Sequence, residues 1–79
     1  MSNSIGRMSV GMDQLVDLLD EAGAWVVIDA SGDPVGSPVT SLREAVRVSE
    51  PGDAAARISV SPILVTGVQM GRLRAARGV

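Results

Sequence analysis

The sequence predicts an α+β domain: one small antiparallel sheet with two helices packed on one face, in the order α-β-β-α-β-β. Three observations carry this. An apolar, largely β-branched run from Ala24 to Ile28 is followed at once by Asp, Gly and Pro, the composition of a β-hairpin. Segments on either side of the hairpin space their apolar residues as helices do. A second apolar stretch, Ile58 to Val65, lies beyond them and supplies further strand.

Composition narrows the function more than the fold. Seventy-nine residues allow one domain, near the ~70–80 residues below which a single core rarely suffices without staples. The chain has no cysteine and no histidine, so disulfides, thiol and imidazole mechanisms and most structural zinc sites are excluded. With one Trp and no Phe or Tyr, the core has to be built from Val, Leu, Ile, Met and Ala. A chain that is 46% hydrophobic without a staple has reason to bury surface on a partner or on a second copy, so homodimerisation is a fair expectation. All seven basic residues are Arg, which matches codons rich in G and C and does not by itself signal phosphate recognition.

The net charge of −2 is unevenly placed. Residues 1–42 set Arg7 against six carboxylates, for −5, while residues 43–79 set six arginines against three carboxylates, for +3. No stretch approaches the ~20 apolar residues that span a bilayer. Met1 to Met8 also lacks the apolar core of a secretory signal, so a cytoplasmic location without membrane contact is expected.

Residues 1–10 are small and polar and predict a flexible N-terminal arm, leaving 11–79 as the single domain. Met12 to Ala22 predicts the first helix, with Met12, Leu15, Val16, Leu18, Leu19 and Ala22 on one face and Asp13, Gln14, Asp17, Asp20 and Glu21 on the other. Gly23 suits the left-handed residue that closes a helix. Asp20 and Glu21 oppose the dipole at that end, at tenths of a kcal/mol each. The carboxylate face therefore reads either as plain solvated surface or as a stripe directed at a basic partner.

Trp25 to Ile28 has no polar alternate, which predicts a strand covered on both faces, with Trp25 as a core anchor. The turn from Asp29 to Asp33 places oxygen side chains at alternate positions, as a calcium loop begins. Pro34 then stands where that loop needs glycine and Thr40 where it needs glutamate, so the segment reads as turn chemistry and no metal is expected. Val35 to Val39 is the return strand.

Val39 to Glu50 predicts the second helix, opened by the capping box Ser41-Leu42-Arg43-Glu44 and closed by Pro51-Gly52. Leu42, Ala45, Val46 and Ser49 form its inward stripe, and Arg47 is placed to pair with Glu50. Asp53 to Arg57 reads as a connector, Ile58 to Ser61 as a half-buried strand, and Ile63 to Val65 as its continuation after Pro62.

The C-terminus is open to two readings. Thr66-Gly67 is either the turn of a second hairpin with a return strand from Val68 to Arg74, or the start of a helix to Arg77 capped by Thr66 and Gln69. The hairpin is preferred, because Val68, Met70, Leu73 and Ala75 form no clear stripe and Gly71 would weaken a helix by about 1 kcal/mol.

Catalytic equipment is missing. The serines have no histidine or lysine to activate them, the glycines form no phosphate loop, and Asp29 and Asp33 belong to a turn. No enzyme and no cofactor is expected. Arg72, Arg74 and Arg77 are candidates for contact with phosphate or with an acidic surface, Arg72 and Arg74 sharing a face if they lie on a strand. No aromatic stands among them to stack a base and the total charge is acidic, so direct nucleic-acid binding is disfavoured.

Binding is what remains. The expected function is a small inhibitor that covers a basic, nucleic-acid-binding surface of a larger protein or ribonucleoprotein, with Asp13, Asp17, Asp20 and Glu21 as the contact. In size, acidity and lack of cofactor chemistry the chain resembles the small phage-encoded inhibitors of bacterial defence, especially the anti-CRISPR proteins. That resemblance is one of type, spans the whole chain and is carried by no motif. It implies binding to a CRISPR effector in the host cytoplasm and prevention of DNA binding. A nucleic-acid-associated regulatory module using the C-terminal arginines, or an accessory dimeric subunit, are the alternatives.

Overall fold

A computed structural model describes residues 10–58 and 62–77, without the side chains of Ala22 and Arg77. Its elements run α1 (Met12–Leu18), β1 (Ala22–Ile28), β2 (Pro34–Ser41), α2 (Leu42–Val48), β3 (Ala54–Ile58), β4 (Ile63–Val65) and α3 (Gly67–Arg77). The strands form one sheet in the order β2-β1-β3-β4, with every neighbouring pair antiparallel. The expected class and the single antiparallel sheet are present, and a third helix is added at the C-terminal end.

The first reversal is built by one side chain. Asp29 Oδ1 accepts the backbone N–H groups of Ser31 at 2.9 Å and Asp33 at 3.0 Å. The Asp29 N–H donates to the Asp33 carbonyl at 2.9 Å. Gly32 takes φ +93°, a conformation that side chains rarely adopt. This carboxylate is thus occupied in shaping the turn.

Cross-strand register puts Trp25, Val27, Ala55 and Val65 on one face of the sheet, and all four are buried. Leu15 of α1, Leu42, Ala45 and Val46 of α2, and Met70 and Leu73 of α3 close over them, together with Val10. Helix α2 lies over β1 and β2, α3 lies over β3, and the two helices touch. Trp25 is fully buried, a core anchor as expected. Val10 joins this core too, whereas residues 1–9 of the expected arm lie outside the described residues.

Several boundaries differ from the sequence reading, each for a local reason. Helix α1 stops at Leu18, and Gly23 lies inside β1 instead of closing the helix. Only Leu15 of α1 is fully buried and Val16 is 58% exposed, so the apolar stripe is too narrow to hold a longer helix against the sheet. Among the described residues, the helices cover strand β1 on one face only. Val26 and Ile28 alternate with Trp25 and Val27 and are only half-buried, because the helices all pack on the other side.

The segment read as a connector is β3. Ala55 sits against Val27 on one side and Val65 on the other, beneath the region where α2 and α3 converge, and that crowding selects a small residue over a β-branched one. Of the strand expected at 58–61, Ile58 ends β3 and residues 59–61 lie outside the described residues.

Helix α2 begins at Leu42, with Ser41 Oγ accepting the Glu44 N–H at 3.2 Å. The Glu44 carboxylate turns instead to Arg47, at 2.7 Å, and that hydrogen bond raises the Arg47 pKa. The expected Arg47–Glu50 pair is replaced because the helix ends at Val48: Ser49 is already extended, so Glu50 leaves the helical register.

The preferred C-terminal strand is a helix. Thr66 Oγ1 accepts the Gln69 N–H at 3.3 Å, and Gln69 Oε1 accepts the Thr66 N–H at 2.9 Å, a capping box closed in both directions. Gln69 Nε2 also donates to the Val10 carbonyl, which ties the start of α3 to the start of the described chain.

Candidate functional site

The carboxylate stripe expected on the first helix is divided by the early end of α1. Asp13 and Asp17 lie on the helix, are exposed, and stand one turn apart. Like charges at that spacing repel by a few tenths of a kcal/mol. Asp20 and Glu21 fall beyond the helix, where the chain bends towards the sheet. Arg43 of α2 donates to Asp20 Oδ1 at 2.7 Å, and Arg57 of β3 donates to Glu21 Oε1 at 2.7 Å. Two of the four candidate contact residues are therefore matched within the molecule.

The two matches differ in setting. The Arg43–Asp20 pair is well exposed, and such pairs contribute about 0–1 kcal/mol. The Arg57 side chain is 15% exposed. It rises from the helix-covered face between Trp25 and Ile63, and its aliphatic carbons pass within van der Waals reach of where a Gly23 Cβ would stand. Arg43 and Arg57 lie 23 and 36 residues from their partners in the stripe, too far apart for local spacing to pair them. The opposite charges of the two halves of the sequence were the signal for such pairing.

Beside Asp13 and Asp17 the surface is concave. Val10, Gln14, Asp17, Leu18 and Ile63 line a cavity of about 290 Å³ between α1 and β4. Its walls are mainly aliphatic, with Asp17 and Gln14 as the polar residues among them. Gln14 also accepts the Gly11 N–H at 3.1 Å, which fixes its amide near the start of α1. An extended basic side chain suits this combination: its methylenes meet Val10, Leu18 and Ile63 while its charge meets Asp17.

The C-terminal arginines do not form the expected row. On a helix, Arg72 and Arg74 diverge to different faces. Arg72 is exposed, whereas Arg74 Nη1 donates to Ser49 Oγ, and Ser49 in turn donates to the Val46 carbonyl at 2.9 Å. Arg74 thereby sets a cation at the C-terminal end of α2, where the helix dipole favours one. The Arg77 side chain lies outside the described residues.

Among the described residues no group of three acidic side chains is placed to hold a metal ion, and no helix is long and apolar enough to cross a membrane. The buried carboxylate Asp53 serves structure: its Oδ2 accepts the Glu50 N–H at 3.0 Å across the turn into β3. No protein-family model matches the chain, and no characterised protein or solved structure is detectably similar to it.

Proposed function

We propose that the protein is a non-catalytic inhibitor that covers a basic, nucleic-acid-binding surface of a larger partner in the host cytoplasm, as the anti-CRISPR proteins it resembles in type would cover a CRISPR effector. The observation that supports this is the pairing of Asp13 and Asp17 with the adjoining cavity. Two carboxylates one turn apart raise the cost of α1, and an aliphatic hollow beside them suits Arg or Lys side chains of a partner. Asp20 and Glu21, already matched by Arg43 and Arg57, contribute to the acidic field without being the direct contact.

The test is inhibition of nucleic-acid binding by a CRISPR effector, read by gel shift. The wild-type chain is expected to abolish the shift, and Asp13→Arg with Asp17→Arg to weaken inhibition by about tenfold or more. Full inhibition by the doubly reversed variant, or no inhibition by the wild type, rejects the reading. Tight binding of DNA by the protein alone, falling steeply with salt, would favour the arginine-based alternative.

A further inference from the structure

Resting on the reading that Asp13 and Asp17 are the partner contact, we infer that Gln69 is the positioning residue of that site: from the base of α3 it sets where α1 holds the two carboxylates. One peptide group makes the link. The Val10 carbonyl accepts from Gln69 Nε2, and the Gly11 N–H of the same peptide donates to Gln14 Oε1 at 3.1 Å. Because a peptide group is planar and rigid, a grip on its carbonyl also fixes the direction of its N–H. Gly11 is the N-cap of α1, and its own carbonyl accepts the Leu15 N–H at 3.0 Å as the helix begins. Val10 and Gln14 line the hollow together with Asp17, so the same group shapes the wall beside the carboxylates.

Helix α1 needs such a hold. Its seven residues fall short of the ~12–15 at which an isolated helix becomes even marginal in water, and Leu15 is its one fully buried side chain. Beyond its far end the Asp20–Arg43 pair is exposed, a setting in which ion pairs hold weakly. The start of α3 is firmer. Met70 is fully buried there, and Gln69 Oε1 accepts from the Thr66 N–H at 2.9 Å and from the Thr66 hydroxyl at 3.1 Å. Those two donors fix which end of the carboxamide is oxygen, and its N–H end is thereby turned to Val10. A carboxamide joins both roles in one planar group, acceptor for the cap and donor for the peptide. A carboxylate keeps only the first.

Gln69→Glu therefore separates the two roles. Amide hydrogen exchange of the full chain, read by NMR, is expected to speed by about fivefold or more at Leu15, the effect of one lost hydrogen bond, while Leu73 within α3 keeps its rate. In the gel shift the same variant is expected to inhibit less than wild type. Gln69→Met, which has neither hydrogen-bonding group, is expected to speed both amides, and it serves if Gln69→Glu does not fold. A Leu15 rate unchanged in these variants, or a faster one with inhibition intact, overturns the proposal. A wild type that does not inhibit rejects the contact reading and with it the site, whatever the exchange rates, so the two failures are read by different measurements.

Discussion

Ser41 opens α2 and Thr66 opens α3, each hydroxyl accepting the N–H of the residue three positions on, at 3.2 and 3.3 Å. Beyond that shared start the helices are held differently. In its seven residues α2 buries Leu42, Ala45 and Val46 completely. The eleven residues of α3 bury Met70 and Leu73, leave Val68 70% exposed, and include Gly67 and Gly71. The helix with the narrower stripe has the fuller cap: Gln69 returns its carboxamide to Thr66 and reaches Val10, while Glu44 gives its carboxylate to Arg47. A stripe of two residues suffices when the first turn is anchored from both sides and the helix rests on β3.

The largest expected effects test whether α3 is as integral as α2. Leu42→Ala and Leu73→Ala should each lower stability by about 2–5 kcal/mol in urea unfolding, since both side chains are buried in the same core. If Leu73→Ala costs less than about 1 kcal/mol, α3 is a loosely attached tail and the comparison fails.

Gly67→Ala probes how closely α3 is set down. A Cβ there would stand 2.8 Å from the Gly52 carbonyl oxygen, and that carbonyl belongs to a turn fixed by the Asp53 carboxylate and by Gly52 at φ +93°. A backbone atom so held cannot retreat cheaply, and a loss of about 1–3 kcal/mol is expected. An unchanged urea midpoint would mean that the turn and the helix move apart freely.

The contrast between the helices also shows where sequence reasoning reached and where it stopped. Ser41 and Pro51-Gly52 bracket α2 visibly, and its apolar residues recur at helical spacing. For α3 the signal was local and tertiary at once. Thr66 and Gln69 were legible as a cap, but the apolar residues looked scattered because Val68 faces solvent and only Met70 and Leu73 reach the core. Ala54 to Ala56 hid a strand for a related reason, since the demand for a small side chain at Ala55, beneath the helices, is not written in β-propensity. At the candidate site, the acidic residues were legible one by one. Their division into a solvent-facing pair on α1 and a matched pair beyond it depends on Arg43 and Arg57, which are distant in sequence.

Removing each cap should rank the two ends. Ser41→Ala is expected to cost about 1 kcal/mol, the usual loss of an N-cap hydroxyl. Thr66→Ala should cost more within the range of about 0.5–2 kcal/mol, because its hydroxyl both accepts the Gln69 N–H and donates to Gln69 Oε1 at 3.1 Å. Equal losses would show that the cap does not offset the narrower stripe of α3.

The smallest effect has the opposite sign. A Cβ added at Gly71 would find its nearest neighbour, Arg74 Nη2, at 3.9 Å, ordinary contact with the end of a flexible side chain. The position is interior to α3, where alanine is favoured over glycine by up to about 1 kcal/mol, largely through lost freedom of the unfolded chain. Gly71→Ala is therefore expected to raise stability by about 0.5–1 kcal/mol, while the same substitution four residues earlier lowers it. The midpoint of urea unfolding at unchanged slope reads both. Opposite signs at Gly67 and Gly71 thus mark a helix pressed onto a turn at its first residue and free of close contact one turn later.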